Sequence, residues 1–162
     1  MEQLTFLEIV KPKYKYIIDT SAILSQKDNE PHRRRTYAKK WEYIDSFVQQ
    51  KIIVTCSEIR EEIKDEAIIK WLKDNNLIVL DIDDEIQCNV KKVVTSNPQL
   101  IDFKQVKSSG DAFLIATAMK YSLTVITEEN KDSSKKIPKV CEKLGVLCTN
   151  ILGLCDLEKW TF

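Results

Sequence analysis

Five short apolar runs interleaved with segments of helical period constrain this chain more than any other feature. Lys15 to Asp19, Lys51 to Thr55, Leu77 to Asp81, Thr124 to Thr127 and Val146 to Thr149 read as strands. Between them, Tyr37, Trp41, Ile44, Phe47 and Val48 recur at helical spacing within Thr36 to Gln50. Further helices are expected from Ser57, as an N-cap, through Glu61 and Glu62, and over Ile68 to Asn75, Asp83 to Ser96 and Asp111 to Tyr121. Another runs from Pro138 to Leu144, with Pro in its first turn and Gly145 as C-cap. Ser21 to Ser25 begins a short helix, and Asn97 to Gly110 reads as a polar loop with a turn around Leu100 to Phe103. Strands that alternate with helices are joined by crossovers. The expected fold is therefore α/β: a three-layer α/β/α sandwich around a central, mostly parallel five-stranded sheet.

At 162 residues, without an internal repeat or a linker, the chain is expected to form one domain over 1–162, large enough for a core without disulfides. Lys plus Arg and Asp plus Glu stand at 25 each, so any nucleic-acid surface has to come from local clustering. The five cysteines form no C-x-x-C pair and there is one histidine, which argues against structural zinc. They are expected to be reduced thiols, with Cys141, Cys148 and Cys155 as small apolar core residues and Gly145 and Gly153 breaking any continuous helix through them. Acids stand at the N-terminus where a signal peptide is basic, and no stretch nears the ~20 apolar residues of a membrane span, so a cytoplasmic protein is expected.

Four acids fall at the ends of these elements. Asp19 closes Tyr16-Ile17-Ile18, Glu62 or its neighbour Glu61 lies in the Ser57 helix, Asp111 opens an apolar helix, and Glu129 follows the strand ending at Thr127. Each has an ordinary explanation alone, as a cap, a solvated helix face or a polar loop. Together they would share one edge of a parallel sheet, where open α/β folds bind ligands. Carboxylates gathered there repel one another unless a hard divalent cation such as Mg²⁺ neutralises them.

These residues resemble a known family. Ile17-Ile18-Asp19-Thr20-Ser21, Glu61-Glu62-Ile63, Gly110-Asp111-Ala112-Phe113-Leu114-Ile115-Ala116 and Val125-Ile126-Thr127-Glu128-Glu129 are similar, in order, to the four acidic motifs of PIN-domain nucleases, over about residues 15–150. Lys135-Lys136-Ile137-Pro138-Lys139-Val140-Cys141 resembles a bacterial subfamily. The resemblance implies that Asp19, Glu62, Asp111 and Glu129 are catalytic and bind Mg²⁺ or Mn²⁺. It makes Ser21 the residue that orients the first acid or a metal-bound water, with Glu61 in support. Glu129 replaces the commoner Asp, lengthening the ligand by one methylene, and Glu128 and Asp132 stay open as substitutes. The implied activity is metal-dependent endoribonucleolytic hydrolysis of RNA by the toxin of a toxin–antitoxin pair. The partners are then RNA, a protein antitoxin and, in some arrangements, a second copy in a homodimer, with no membrane.

Other chemistries lack their motifs: no G-x-S-x-G, no P-loop and no Rossmann glycine pattern occurs, with three Gly in the chain. Arg33, Arg34, Arg35 and Lys39, beside His32 and Lys40, form a basic cluster that is either an RNA-backbone clamp or a solvated helix entrance. His32 is expected at the surface, and Tyr37, Trp41 and Trp71 on apolar helix faces. Two alternatives accompany the nuclease reading: a catalytically silent interaction module on the same fold, and a metal-independent RNase using His32 and the arginines.

Overall fold

The computed structural model describes residues 13–97, 110–132 and 136–162. The expected turn around Leu100 to Phe103 and Lys135 lie outside them. The five strands form as read, though shorter: β1 (Tyr16–Ile18), β2 (Ile53–Cys56), β3 (Ile78–Leu80), β4 (Thr124–Ile126) and β5 (Cys148–Thr149). They make one all-parallel sheet in the order β3-β2-β1-β4-β5. The central strands β1 and β2 are buried along their whole length, as a sheet covered on both faces requires.

Eight helices are seen among the described residues: α1 (Thr20–Leu24), α2 (Ala38–Gln49), α3 (Ser57–Glu62), α4 (Glu66–Asp74), α5 (Asp84–Ser96), α6 (Gly110–Tyr121), α7 (Ile137–Leu144) and α8 (Ile151–Leu157). Helix α2 buries Trp41, Ile44 and Val48, the 3.6-residue stripe of its sequence. Trp41 meets Trp71 of α4 edge-on, with ring centroids 6.3 Å apart. The chain runs outward through β1, β2 and β3, then returns through α5 and α6 to place β4 and β5 on the other side of β1. Among the described residues, no helix is long and apolar enough to cross a membrane.

Helix α6 has no polar stripe. Ala112, Leu114, Ile115, Ala116, Thr117 and Ala118 are all buried, so the helix runs through the core and its N-terminal turn opens at the sheet edge. Helix α7 ends at Gly145 with φ +71°, the left-handed conformation that lets the Val146 amide donate to Cys141 O at 2.9 Å.

Three expectations need correction. Gly153 does not break a helix; it lies inside α8, which Asn150 caps by accepting from the Gly153 amide at 2.7 Å. A Cβ there would fall 2.0 Å from Thr149 Oγ1, a contact between elements that helix propensity does not register. Cys56, not Ser57, holds the N-cap position of α3, and Ser57 is its first helical residue. Cys148 is only half-buried, whereas Cys141 and Cys155 are core.

Candidate metal centre

The strand order creates the site. The chain leaves β1 for β2 on one side and later returns to place β4 on the other, so the β1–β4 crevice is the topological switch point of the sheet. Asp19 follows β1 and Thr127 to Glu129 follow β4, at the carboxyl ends of those two neighbours. The amide of Asp19 donates to Ile126 O at 2.9 Å, tying the two strand ends together.

Asp19 is 2 % exposed. Its Oδ2 accepts from Ser21 Oγ at 2.6 Å, from Thr127 Oγ1 at 2.9 Å and from the Ser21 amide at 3.3 Å, which makes it the N-cap of α1. The two hydroxyls are relays. Ser21 Oγ accepts the Glu128 amide at 3.0 Å, and Thr127 Oγ1 accepts the Glu129 amide at 3.2 Å. The backbone after β4 is thus pinned to the Asp19 carboxylate. Burial pushes the Asp19 carboxyl above its ordinary range, and the hydroxyl and amide donors oppose that shift.

Glu62 accepts from Thr20 Oγ1 at 2.7 Å, whereas Glu61 is exposed. The reason is helical phase: Ile59 and Ile63 are buried, and Glu62, three residues from Ile59, shares their face. Asp111 sits in the first turn of α6. Its carboxyl is raised from 3.8 to about 7 by burial first, then by the negative charges of Glu129, Asp19 and Glu62, with Lys136 opposing. Glu129 is also raised, chiefly by burial and further by Asp19 and Glu62, although its Oε1 accepts the Ile137 amide at the start of α7 at 3.1 Å. Asp111 and Glu129 therefore both feel the negative charges of Asp19 and Glu62 across the crevice.

Neighbouring Glu128 points elsewhere. Its Oε1 lies 2.9 Å from His32 Nε2 and its Oε2 accepts the Ile151 amide at 2.8 Å. Burial alone would raise its carboxyl, but these partners hold it below the ordinary value. Asp132 is exposed. Thr20 and Thr127 were not singled out by sequence; the usable signal was a hydroxyl residue directly adjoining an acid at a strand end.

The basic cluster divides. Arg34 turns inward, making a two-point contact with Asp45 at 2.8 and 2.9 Å, and Lys40 is buried. Arg33 is half-buried and bonded to Thr36; Arg35 and Lys39 are exposed. His32 is 6 % exposed, contrary to the surface position expected for it, because its ring fills a polar seam between Lys40 and Glu128. Tyr37 is exposed rather than on an apolar face.

Among the described residues, no three His, Cys, Asp or Glu side chains stand at the spacing of a finished metal cage. The donor chemistry nonetheless fits a hard divalent cation. The acids that shape one another's ionisation here are all carboxylates, and in Asp111 their repulsion adds to burial enough to bring ionisation to about 7. Asp19, Glu62, Asp111 and Glu129 are the residues that would hold such an ion.

An all-parallel five-stranded sheet in this order, flanked by helices, is a PIN-like α/β fold. The chain belongs to the family described as domain of unknown function DUF4411, whose model matches residues 16–162. Among solved structures, it is similar to VapBC2 from Rickettsia felis bound to a DNA fragment from their promoter, at 16% identity and TM-score 0.55, over 83% of this chain and 97% of that one. It is also similar to FitAcB from Neisseria gonorrhoeae, at 16% identity and TM-score 0.51, over 85% of this chain and 98% of that one. At such identities the likeness is one of fold. No curated protein matches the chain.

Proposed function

We propose that this chain is a divalent-metal-dependent endoribonuclease and the toxin of a toxin–antitoxin pair. The observation that carries the reading is the Asp111 carboxyl at the switch point, raised to about 7 by burial and by the charges of Glu129, Asp19 and Glu62. When bound, Mg²⁺ or Mn²⁺ supplies charge neutralisation and activation of a water for attack on a phosphodiester. The chain's own residues do the rest. Ser21 and Thr127 hold Asp19 in one rotamer, Thr20 holds Glu62, and the Ile137 amide fixes Glu129. Exposed Arg35 and Lys39, with Arg33, would take the RNA backbone, and an antitoxin would cover the acidic crevice. The similar VapBC2 structure is described as bound to a DNA fragment from their promoter, which supports a partner chain here. His32 is a poor base for a metal-independent RNase, because both its ring nitrogens are engaged and it is buried.

The test is cleavage of a structured RNA pool with Mn²⁺ or Mg²⁺. Activity lost on chelation and restored by metal supports the reading; chelator-resistant cleavage, or none by soluble folded protein, rejects it. Within that assay, Glu62→Gln is expected to lower turnover at least tenfold and Glu61→Gln less than twofold. Equal effects would remove Glu62 from the centre.

The arginines should separate in the same way. Arg35→Ala and Lys39→Ala are expected to weaken RNA binding and each to reduce the salt slope by about one, as loss of one phosphate contact does. Arg34→Ala should instead destabilise the fold by about 1 kcal/mol, since it removes a half-buried two-point contact while Trp71 Nε1 still donates to the Asp45 carboxylate. An unchanged salt slope in the first two variants would place RNA elsewhere.

A further inference from the structure

The chain's one histidine is absorbed by neither the carboxylate centre nor the basic surface. His32 sits between two elements. Its Nδ1 lies 2.6 Å from Lys40 Nζ on α2, its Nε2 lies 2.9 Å from Glu128 Oε1 after β4, and its carbonyl accepts from Trp41 Nε1 at 2.5 Å. Both Lys40 and His32 are 6 % exposed, so neither can exchange these partners for water at little cost. Glu128, held by the ring and by the Ile151 amide, donates its own backbone N–H to Ser21 Oγ, which donates to Asp19 Oδ2 at 2.6 Å. A continuous chain of polar contacts thus runs from Lys40 through His32, Glu128 and Ser21 to Asp19.

We propose that His32 is a positioning residue: as the Nε2–H tautomer it accepts from Lys40, donates to Glu128, and so orients the Glu128 backbone that sets Ser21 and Asp19, while keeping the Glu128 carboxylate out of the cation-binding crevice. The tautomer follows from the partners. An ammonium has no lone pair to offer, so it donates to Nδ1 and leaves the ring proton on Nε2, facing an acceptor-only carboxylate. The consequence for function is selective. A neighbouring carboxylate freed from His32 would bring a fifth negative group beside Glu129, and the amide that steadies Ser21 would lose its anchor. Partners that act through a ligand in this way typically shift metal affinity or activity by about 10–100-fold.

The functional half of this proposal rests on the metal-dependent reading; the tautomer half does not. The test uses the full chain and three variants, His32→Gln, His32→Leu and Lys40→Met. Because there is one histidine, long-range ¹H–¹⁵N spectra of metal-free protein report its tautomer without assignment ambiguity. The expected result is a single Nε2–H form, with the Ser21, Glu128 and Ile151 amide resonances moved in His32→Leu and largely restored in His32→Gln, whose amide can both accept and donate. Calorimetric Mn²⁺ affinity is expected to fall about tenfold in His32→Leu and to return to within threefold of wild type in His32→Gln. Lys40→Met should release the tautomer preference. An Nδ1–H ring, or unmoved Ser21 and Glu128 amides in a folded His32→Leu protein, would overturn the proposal. So would Mn²⁺ affinity within twofold of wild type in that variant. If wild type binds no Mn²⁺ at all, the metal reading fails by itself, and the relay is then decided by the tautomer and the amide shifts.

Discussion

Replacing Asp111 by Asn is expected to make the metal-free protein more stable at pH 8 and to reduce RNA cleavage at least a hundredfold. The carboxyl of Asp111 ionises near 7 in the folded chain and near 3.8 when unfolded, because burial and the charges of Glu129, Asp19 and Glu62 oppose its anion. Above pH 7 the native state carries that anion at a cost the unfolded chain does not bear. As pH falls from 7 toward 4 the native group binds its proton and the cost disappears; below about 4 both states are protonated and nothing further is gained. Each pKa unit corresponds to about 1.4 kcal/mol. With allowance for solvent reaching the crevice, the gain from Asn at pH 8 is on the order of 2 kcal/mol, or roughly 4–8 °C in melting temperature for a chain of this length. At pH 5 the difference should shrink. Mn²⁺ should stabilise wild type by ligand linkage and leave the variant nearly unmoved. Melting curves at the two pH values, with chelator and with Mn²⁺, measure all of this. A variant less stable than wild type at pH 8 would mean that Asp111 is stabilised by a partner rather than strained by like charge.

Asp19→Asn is expected to abolish cleavage and to relieve growth arrest on expression, with the fold retained. The side-chain oxygen of Asn can still accept from Ser21 and Thr127, so the cap of α1 survives at a cost of about 1 kcal/mol. What is lost is one negative charge at the strand end where β1 and β4 meet, and with it the attraction for a divalent ion. Turnover should drop by about 10²–10⁴-fold, the scale on which removing an activated water slows such reactions. The paired measurement is RNA decay and growth in one host expressing wild type or variant, with soluble protein quantified. Wild type that leaves growth and RNA untouched would favour a silent interaction module on this fold. An Asn variant as active as wild type would detach Asp19 from the chemistry.

Much of the candidate site's placement at element ends was legible because its signals are local. An acid that ends Tyr16-Ile17-Ile18, and another in the first turn of a helix apolar on every side, are held at the boundary between core and solvent whatever the tertiary details. The alternation of strand and helix patterns likewise implied a parallel sheet, since parallel neighbours need crossovers. Even the choice of Glu62 over Glu61 was present in the spacing from Ile59 and Ile63, although it went unused. Helix α8 was missed because Gly153 argues against a helix locally, and only its packing against Thr149 explains why glycine stands there.

Other features depended on the tertiary structure alone. Strand order is one: periodicity says that five strands exist, but not that β4 lies beside β1, and it is this adjacency that puts Asp19 and Glu129 in the same crevice. The separation of Glu128 from Glu129 is another. In sequence they are interchangeable acids; in space one serves His32 and the Ile151 amide while the other accepts the Ile137 amide and raises the Asp111 carboxyl through its charge. The basic cluster was divided in the same manner, with Arg34 and Lys40 turned inward onto partners 11 and 8 residues away. Sequence by itself determined which residues stand at element ends, because hydrophobic burial acts on a repeat of two or 3.6 residues that can be read along the chain. The tertiary structure decided which of those ends meet, because hydrogen bonds and charge repulsion join groups as distant in sequence as Thr20 and Glu62, 42 positions apart, or Asp19 and Thr127, 108 apart, which are neighbours only after folding.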